Sequence, residues 1–240
     1  MTILYVFPHP DDESFGPAPV LARQRRQNHQ VHLLTLTRGE ETTQREKLGY
    51  SLEEMGRVRT GEMQCVAEAL DLTDLTVLDF PDGGLAEMDP RVLEQAVDTR
   101  IRQCRPQVVV TYAAHGISGH ADHLAAHAIV KHAYCTIRAE KPGYLQRLAF
   151  MTLPEAGDDT DRPDHLRGSP PDAIDAVVPF SGDDRDHAEA ALDCYETYQE
   201  VVAEHRPLDI VADGVCFEFF QEDADPPHDD LLAGLATNGK

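Results

Sequence analysis

Thr2-Ile3-Leu4-Tyr5-Val6-Phe7 runs through Pro8 into His9-Pro10-Asp11-Asp12-Glu13. The first six residues are apolar and rich in strand formers, so a histidine and two adjacent carboxylates stand at the exit of the first predicted strand. In open α/β sheets, ligands bind outside the carboxyl ends of the strands. A second cluster, His120-Ala121-Asp122-His123, follows another apolar run, Val108–Tyr112. Two clusters of metal-ligand residue types at two strand exits point to a metal-dependent hydrolase.

The rest of the chain supports the same frame. Strands are predicted at Thr2–Phe7, Val31–Thr37, Leu75–Phe80, Gln107–Ala113, Arg147–Leu153 and Ala173–Pro179, with a last strand pattern over Ile210–Phe220. The first four are nearly continuous apolar runs, as suits a parallel sheet covered on both faces. Helical patterns lie between and after them at Ser14–Asn28, Leu52–Leu70, Pro90–Arg105, His120–Ala139 and Asp184–His205. Asp89 and Pro90 fit an N-cap and a first helical position. The alternation predicts a single Rossmann-like α/β domain over residues 1–221. Its sheet is doubly wound and mainly parallel, with helices on both faces. Three stretches interrupt it. Arg38–Glu54 is polar and is expected over the same rim as His9. Pro154–Asp172 is a long acidic connection, expected to be a lid or disordered. Residues 222–240 are expected to form a loosely ordered acidic tail.

Composition narrows the function classes. Forty-three acids against 21 bases give a net charge of −22 over 240 residues. Such a balance argues against nucleic acid and anionic membrane surfaces as partners. The acid-rich, lysine-poor composition also fits adaptation to high salt. The five cysteines are scattered without a C-x-x-C and read as small apolar residues in a reducing compartment. With no leader-like segment before the first strand and no membrane-length apolar run, the expected location is cytoplasmic.

The two clusters divide naturally into roles. His9, Asp12 and His123 as ligands give two imidazoles and one carboxylate, leaving a zinc position open for water. Asp11, beside a ligand, is the candidate general base. His120, one helical turn before His123, is placed to stabilise an oxyanion or protonate a leaving amine. Asp122 can orient a histidine. Glu13 can do the same or favour the start of the following helix. Other readings stay open. Asp11-Asp12 before a helix also fits an N-cap, and His120, His123 and His127 also fit a solvated helix face. His123 with His127, four residues on, is a competing metal pair.

These motifs resemble the LmbE-like/PIG-L superfamily of zinc-dependent N-acetylglucosaminyl de-N-acetylases. The resemblance rests on His9-Pro-Asp-Asp-Glu13 and Gly119-His-Ala-Asp-His123. It extends to Thr37-Arg-Gly-Glu40, Arg57-x-Arg59-x-x-Glu62, Phe80-Pro-Asp82-Gly-Gly-Leu85 and Glu218-Phe-Phe220. It implies zinc on His9, Asp12 and His123, with Fe2+ and related divalent ions as alternatives. It also implies Asp11 as base, His120 as its electrostatic or acid partner, and Arg59 and Asp82 against sugar hydroxyls. An acetylated amino-sugar substrate and a homo-oligomer follow from the same likeness, with GlcNAc-malate of bacillithiol biosynthesis as the first substrate expectation. Ala121 replaces a common proline. Ser118 stands where some mycothiol-pathway members carry a phenol, which makes that pathway's substrate the weaker expectation. Competing readings are a metal-dependent amidase or deacetylase acting on a chitooligosaccharide or antibiotic precursor, and a metal- or sugar-binding protein without turnover. A nucleotide-binding module is opposed by the lack of a G-x-G-x-x-G after Phe7 and by carboxylates where a pyrophosphate would sit.

Overall fold

A computed structural model describes residues 1–156, 162–212 and 214–236. Seven strands form one sheet in the order β3-β2-β1-β4-β5-β7-β6. They are β1 (Thr2–Phe7), β2 (Gln30–Thr37), β3 (Asp74–Phe80), β4 (Val108–Tyr112), β5 (Arg147–Thr152), β6 (Ala176–Pro179) and β7 (Gly214–Phe219). The first five run parallel. β7 returns antiparallel beside β5 and β6 antiparallel beside β7. The chain winds outward from β1 through β2 to β3, then crosses back to place β4 on the other side of β1. The switch point between β1 and β4 opens the crevice that this topology offers a ligand.

Strand alternation assigns the two faces. In β1, Ile3, Tyr5 and Phe7 enter one core, and Leu4 and Val6 the other. The first face is covered by α1 (Ala18–Arg26), α3 (Leu52–Ala69) and α6 (Gly182–Asp193), and the second by α4 (Pro90–Cys104) and α5 (Ala121–Ala139). Shorter helices are α2 (Gln44–Leu48), α7 (Gln199–His205) and α8 (Pro207–Ile210). A capping box of Ser51 and Glu54 opens α3, and Asp89 caps α4 ahead of Pro90, as expected. Among the described residues, no helix is long and apolar enough to cross a membrane.

Several boundaries differ from the sequence expectation. The first helix starts at Ala18 instead of Ser14, because the carbonyl of Asp11 takes the amides of Ser14 and Phe15 into a turn. Pro17 and Pro19 confine the helix start to that point. The single helix expected over Asp184–His205 is broken after Asp193, where Tyr195 turns inward. The strand expected over Ile210–Phe220 begins only at Gly214, behind α8.

Residues 222–236 are held against the sheet. Glu222 pairs with Arg147 at 2.6 Å, the carbonyls of Leu231 and Ala233 accept from the same guanidinium, and Leu231 is fully buried. Apolar Leu231 and Leu232 supply the burial that the acidic composition hid. Residues 237–240 lie outside the described residues, as do 157–161 of the expected lid. The described parts of that connection bridge back onto the body, with the amides of Ser169 and Arg167 on the carbonyls of Leu153 and Ile117.

The cysteine expectation is also corrected. Cys65 of α3 and Cys194 after α6 are joined in a disulfide, with Cα atoms 5.7 Å apart. These helices pack side by side, which brings together two cysteines whose sequence spacing gave no signal. Cys104, Cys135 and Cys216 are thiols, and Cys135 is exposed.

Candidate metal and catalytic site

The turn after β1 projects His9, Asp11 and Asp12 over the switch point. Asp11 adopts φ 86°, in the left-handed region, a costly conformation for a residue with a side chain. Its amide donates to the Tyr195 hydroxyl at 2.8 Å, which in turn donates to Glu13 at 2.6 Å. Glu13 also accepts from Ser14 and is fully buried. Burial pushes its carboxyl up to about 7. Glu13 therefore supports the Asp11 turn from below and touches no histidine of the cluster.

Opposite this turn, the loop after β4 delivers His120 and His123. Gly116 (φ 65°) makes the close approach possible, since a Cβ there would stand 2.9 Å from that of His123. His123 Nδ1 lies 2.9 Å from the Gly116 carbonyl and donates to it. That fixes the tautomer and leaves Nε2 facing Asp12 Oδ1 at 3.3 Å. The ring stacks on Tyr112 at 4.2 Å, and the Tyr112 hydroxyl donates to the same Asp12 oxygen at 2.7 Å. His120 is exposed and caps α5 by accepting the Asp122 amide on Nδ1 at 3.2 Å.

Asp12 stands between the two imidazoles, with its Oδ2 3.6 Å from His9 Nδ1. Burial opposes its ionisation, but His123, His9 and the Tyr112 hydroxyl outweigh it and hold the carboxyl down at about 2. Burial likewise works against a charged His9, while Asp122, Asp12, Asp82 and Asp11 raise it to about 9. His9 Nε2 lies 3.1 Å from Asp122 and 3.3 Å from Asp82. Asp122 is fully buried and accepts the amides of Gly83 and Leu85, so it locks the Asp82-Gly-Gly turn and the His9 ring together. Burial lowers His120, and the nearby His9 and His123 add to that shift.

Asp11 is held from the side by Arg59 of α3, whose Nη2 donates to Asp11 Oδ2 at 2.7 Å and to the Pro10 carbonyl at 2.9 Å. The guanidinium is buried and lies over the Tyr198 ring at 4.0 Å. Burial raises the Asp11 carboxyl and Arg59 opposes it, with Asp12 tipping the balance upward. Gly39 (φ 64°) passes against Pro10 and Arg59. Glu62, also on α3, binds the Thr197 amide and hydroxyl. Asp82 accepts the Glu41 amide at 2.8 Å.

These groups line one side of a cavity of about 600 Å³. Ring nitrogens of His9, His120 and His123 come within 4.8 Å of one another, as do atoms of His9, Asp82 and Asp122. The donor chemistry fits a divalent cation: the free Nε2 of His123 and the ionised Asp12 are two acceptors facing each other. His127, the competing ligand, is turned away onto the Tyr112 carbonyl and against Phe150.

The sequence profile of the PIG-L family, described as GlcNAc-PI de-N-acetylase, matches residues 4–134, more than half of the chain and the part that holds both clusters. The chain belongs to the PIG-L family. Among PIG-L relatives, a 1D-myo-inositol 2-acetamido-2-deoxy-alpha-D-glucopyranoside deacetylase of Kineococcus radiotolerans is 35% identical over 152 residues, 52% of this chain and 42% of the relative. The chain thus spans less than half of that relative's length. A deacetylase of the teicoplanin biosynthesis pathway shares the fold at TM-score 0.70 and 15% identity, over 91% of this chain and 97% of its own. So does GalB, the 4-carboxy-2-hydroxymuconate hydratase of Pseudomonas putida KT2440, at TM-score 0.68 and 18% identity, over 93% and 97%.

Of the residues singled out in the sequence, His9, Asp11, Asp12, Asp82, His120, His123 and Arg59 all line this cavity. Asp122 and Glu13 stand behind them. Arg59 lines the cavity, and its Nη2 is in addition held by Asp11 and the Pro10 carbonyl. Sequence reading missed Tyr112, Tyr195 and Tyr198. Tyr112 carried one usable signal: a phenol in an otherwise apolar strand needs a hydrogen-bond partner once buried.

Proposed function

We infer that this PIG-L protein is a metal-dependent N-deacetylase that hydrolyses the N-acetyl amide of an N-acetylglucosamine-type conjugate, releasing acetate and a free amine. The observation that carries the reading is Asp11, clamped by Arg59 beside His9, Asp12 and His123 in one cavity at the switch point. Relatives named as deacetylases of an acetamido-sugar conjugate support it.

His9, Asp12 and His123 would hold the metal, zinc first by donor type and Fe2+ as the alternative. When bound, it supplies Lewis-acid polarisation of the amide carbonyl and acidifies water. The chain's own residues do the rest. Asp11 takes a proton from the attacking water as the new C–O bond forms at the carbonyl carbon. Arg59 fixes the direction in which Asp11 points and is assigned here as a positioning residue. His120, exposed at the start of α5, stabilises charge on the carbonyl oxygen, and the proton taken by Asp11, or one held by His120, passes to the amine as the C–N bond breaks. Asp82 lines the cavity as an acceptor for a sugar hydroxyl, and Asp122 orients His9.

The test pairs metal content per chain with amine release from N-acetylglucosamine, GlcNAc-malate and the inositol conjugate, for the wild type and His123→Ala. One metal per chain, lost in the variant together with amine release, is the expected result. Metal bound with no amine from any of the three overturns the assigned substrate class. No metal overturns the ligand assignment.

A further inference from the structure

A second polar cluster lies behind the loop that follows β4, and the hydrolytic steps do not use it. Its members are His115 of that loop, Thr152 at the end of β5, Ser169 of the connection that follows, and Glu218 of β7. Thr152 and Ser169 are buried. Ser169 donates its hydroxyl proton to Glu218, so at its 2.6 Å contact with Thr152 the threonine is the donor. His115 Nε2 lies 3.2 Å from each hydroxyl oxygen. His115 Nδ1 accepts the Ile117 amide at 3.0 Å. Burial outweighs the nearby Glu218 carboxylate and lowers His115, so the ring is neutral and each nitrogen has one role. The proton sits on Nε2, and Nδ1 is free to hold the amide.

That amide belongs to a costly piece of backbone. Ile117 has φ 57°, in the left-handed region, which is a genuine outlier for a β-branched side chain. Such a conformation persists only where its surroundings over-determine it. Here His115 takes the Ile117 amide, and the Arg167 amide donates to the Ile117 carbonyl at 2.8 Å. The Ile117 N–H and the Gly116 carbonyl are two ends of one planar trans peptide, so they point in opposite directions. Holding the N–H on His115 therefore aims the carbonyl the other way, onto His123 Nδ1 at 2.9 Å.

We propose that His115, anchored by Ser169 and Glu218, is a positioning residue for His123. It fixes the Gly116–Ile117 peptide so that the Gly116 carbonyl keeps the proton of His123 on Nδ1 and leaves Nε2 as a ligand. The inference rests on the metal-dependent deacetylase reading above and assigns that site a residue which never touches metal or substrate. The Ser118 hydroxyl lies 3.4 Å from the same His123 nitrogen. Once the carbonyl turns away, that hydroxyl can donate to Nδ1 and favour the opposite tautomer.

Two readouts on the full chain test this without turnover. Ring nitrogen shifts in the metal-free protein report the tautomer of His123, whose signal is identified by its loss in His123→Ala. Calorimetry with Zn2+ reports its strength as a ligand. The wild type is expected to show the Nδ1–H tautomer. In His115→Leu, with its fold checked by circular dichroism, a mixture of tautomers is expected. Zn2+ binding there should weaken about tenfold or more, the usual cost of losing a group that orients a metal-binding histidine. His115→Asn should restore both, because an asparagine side chain can accept the amide two residues on. A folded His115→Leu with the wild-type tautomer and Zn2+ affinity overturns the inference. So does a folded His115→Asn as impaired as the leucine variant. If the leucine variant fails to fold, His115→Gln takes its place with the same expected losses, since glutamine can still donate to Ser169 and Thr152 but sets no acceptor at the Nδ1 position. No Zn2+ bound by the wild type, with the tautomer still lost in the variant, leaves the positioning of His123 standing and overturns the metal reading.

Discussion

The two sides of the cavity are built by different halves of the chain and by different kinds of sequence. The polar side comes mainly from the turns after β1, β3 and β4, within the stretch that matches the family profile. Its donors are fixed by short-range spacing and held close to one another, with hydrogen bonds of 2.7 Å on Asp12 and Asp11 and a 3.3 Å approach of His123 to Asp12. The apolar side comes largely from β5, α7, α8 and β7, outside that stretch. It has no motif; its aliphatic side chains, with Thr152, His165, Tyr198 and His205 among them, are brought round the rim by the antiparallel end of the sheet. The two sides are thus built independently of each other: the geometry of one can be kept while the other varies.

The sharpest way to break this division is Asp11→Asn. Amine release is expected to fall by roughly 10³-fold, within the usual range for a general base, while metal content stays that of the wild type. Near-wild-type turnover in that variant would remove the proton-transfer role from the polar side.

Tyr195→Phe probes the place where the division is crossed, because Tyr195 comes from the later half yet holds the Asp11 amide and Glu13. Losing that hydroxyl leaves a buried amide and carboxylate short of a partner, expected to cost about 1–2 kcal/mol of stability. With Asp11 less firmly placed, kcat should fall about tenfold while KM changes little, a split of the kind expected for a loss felt in the transition state. A rise in KM alone would instead make Tyr195 part of the substrate pocket.

The smallest effect is expected at the junction between the halves. Asp184, in the first turn of α6, takes Arg26 of α1 at 2.7 Å and closes a capping box with Ser181. Burial opposes its ionisation, but Arg26 and Ser181 outweigh it and hold the carboxyl below the usual range. Its stabilisation is therefore present above the unfolded aspartate value, about 3.9, and lost as pH falls through the lower folded value. Asp184→Asn should cost about 1 kcal/mol near neutrality and flatten the acid limb of the stability profile. An unchanged acid limb in urea titrations would show that Asp184 does not couple the halves.

How much of this could be read from the sequence follows the same line. His9, Asp12 and His123 were legible because three-residue spacings at strand exits carry direct geometric meaning. The parallel strands were legible because burial on both faces leaves continuous apolar runs. Tyr195 was not, since its partner Asp11 lies 184 positions away and its own surroundings, Asp193-Cys194-Tyr195-Glu196, read as an ordinary helix. Ile210 and Val215 were illegible for another reason: an aliphatic residue facing a cavity and one facing the core look alike in sequence. The burial of Leu231 and the second role of Arg59 depended on elements that meet only in the folded chain.

The Cys65–Cys194 bond gives the molecule a topology as well as a contact. It closes a ring across 129 positions of sequence, and that ring contains Asp82, Tyr112, His120 and His123 but not His9, Asp11 or Asp12. Unfolded, the oxidised chain is a lasso whose N-terminal thread carries the first cluster and whose loop carries the second. Chain-entropy arguments put the effect of so large a ring at roughly 5 kcal/mol, an upper figure before any native-state cost. Reduction would open the lasso, so the oxidation state sets how much chain disorder must be overcome each time thread and loop meet.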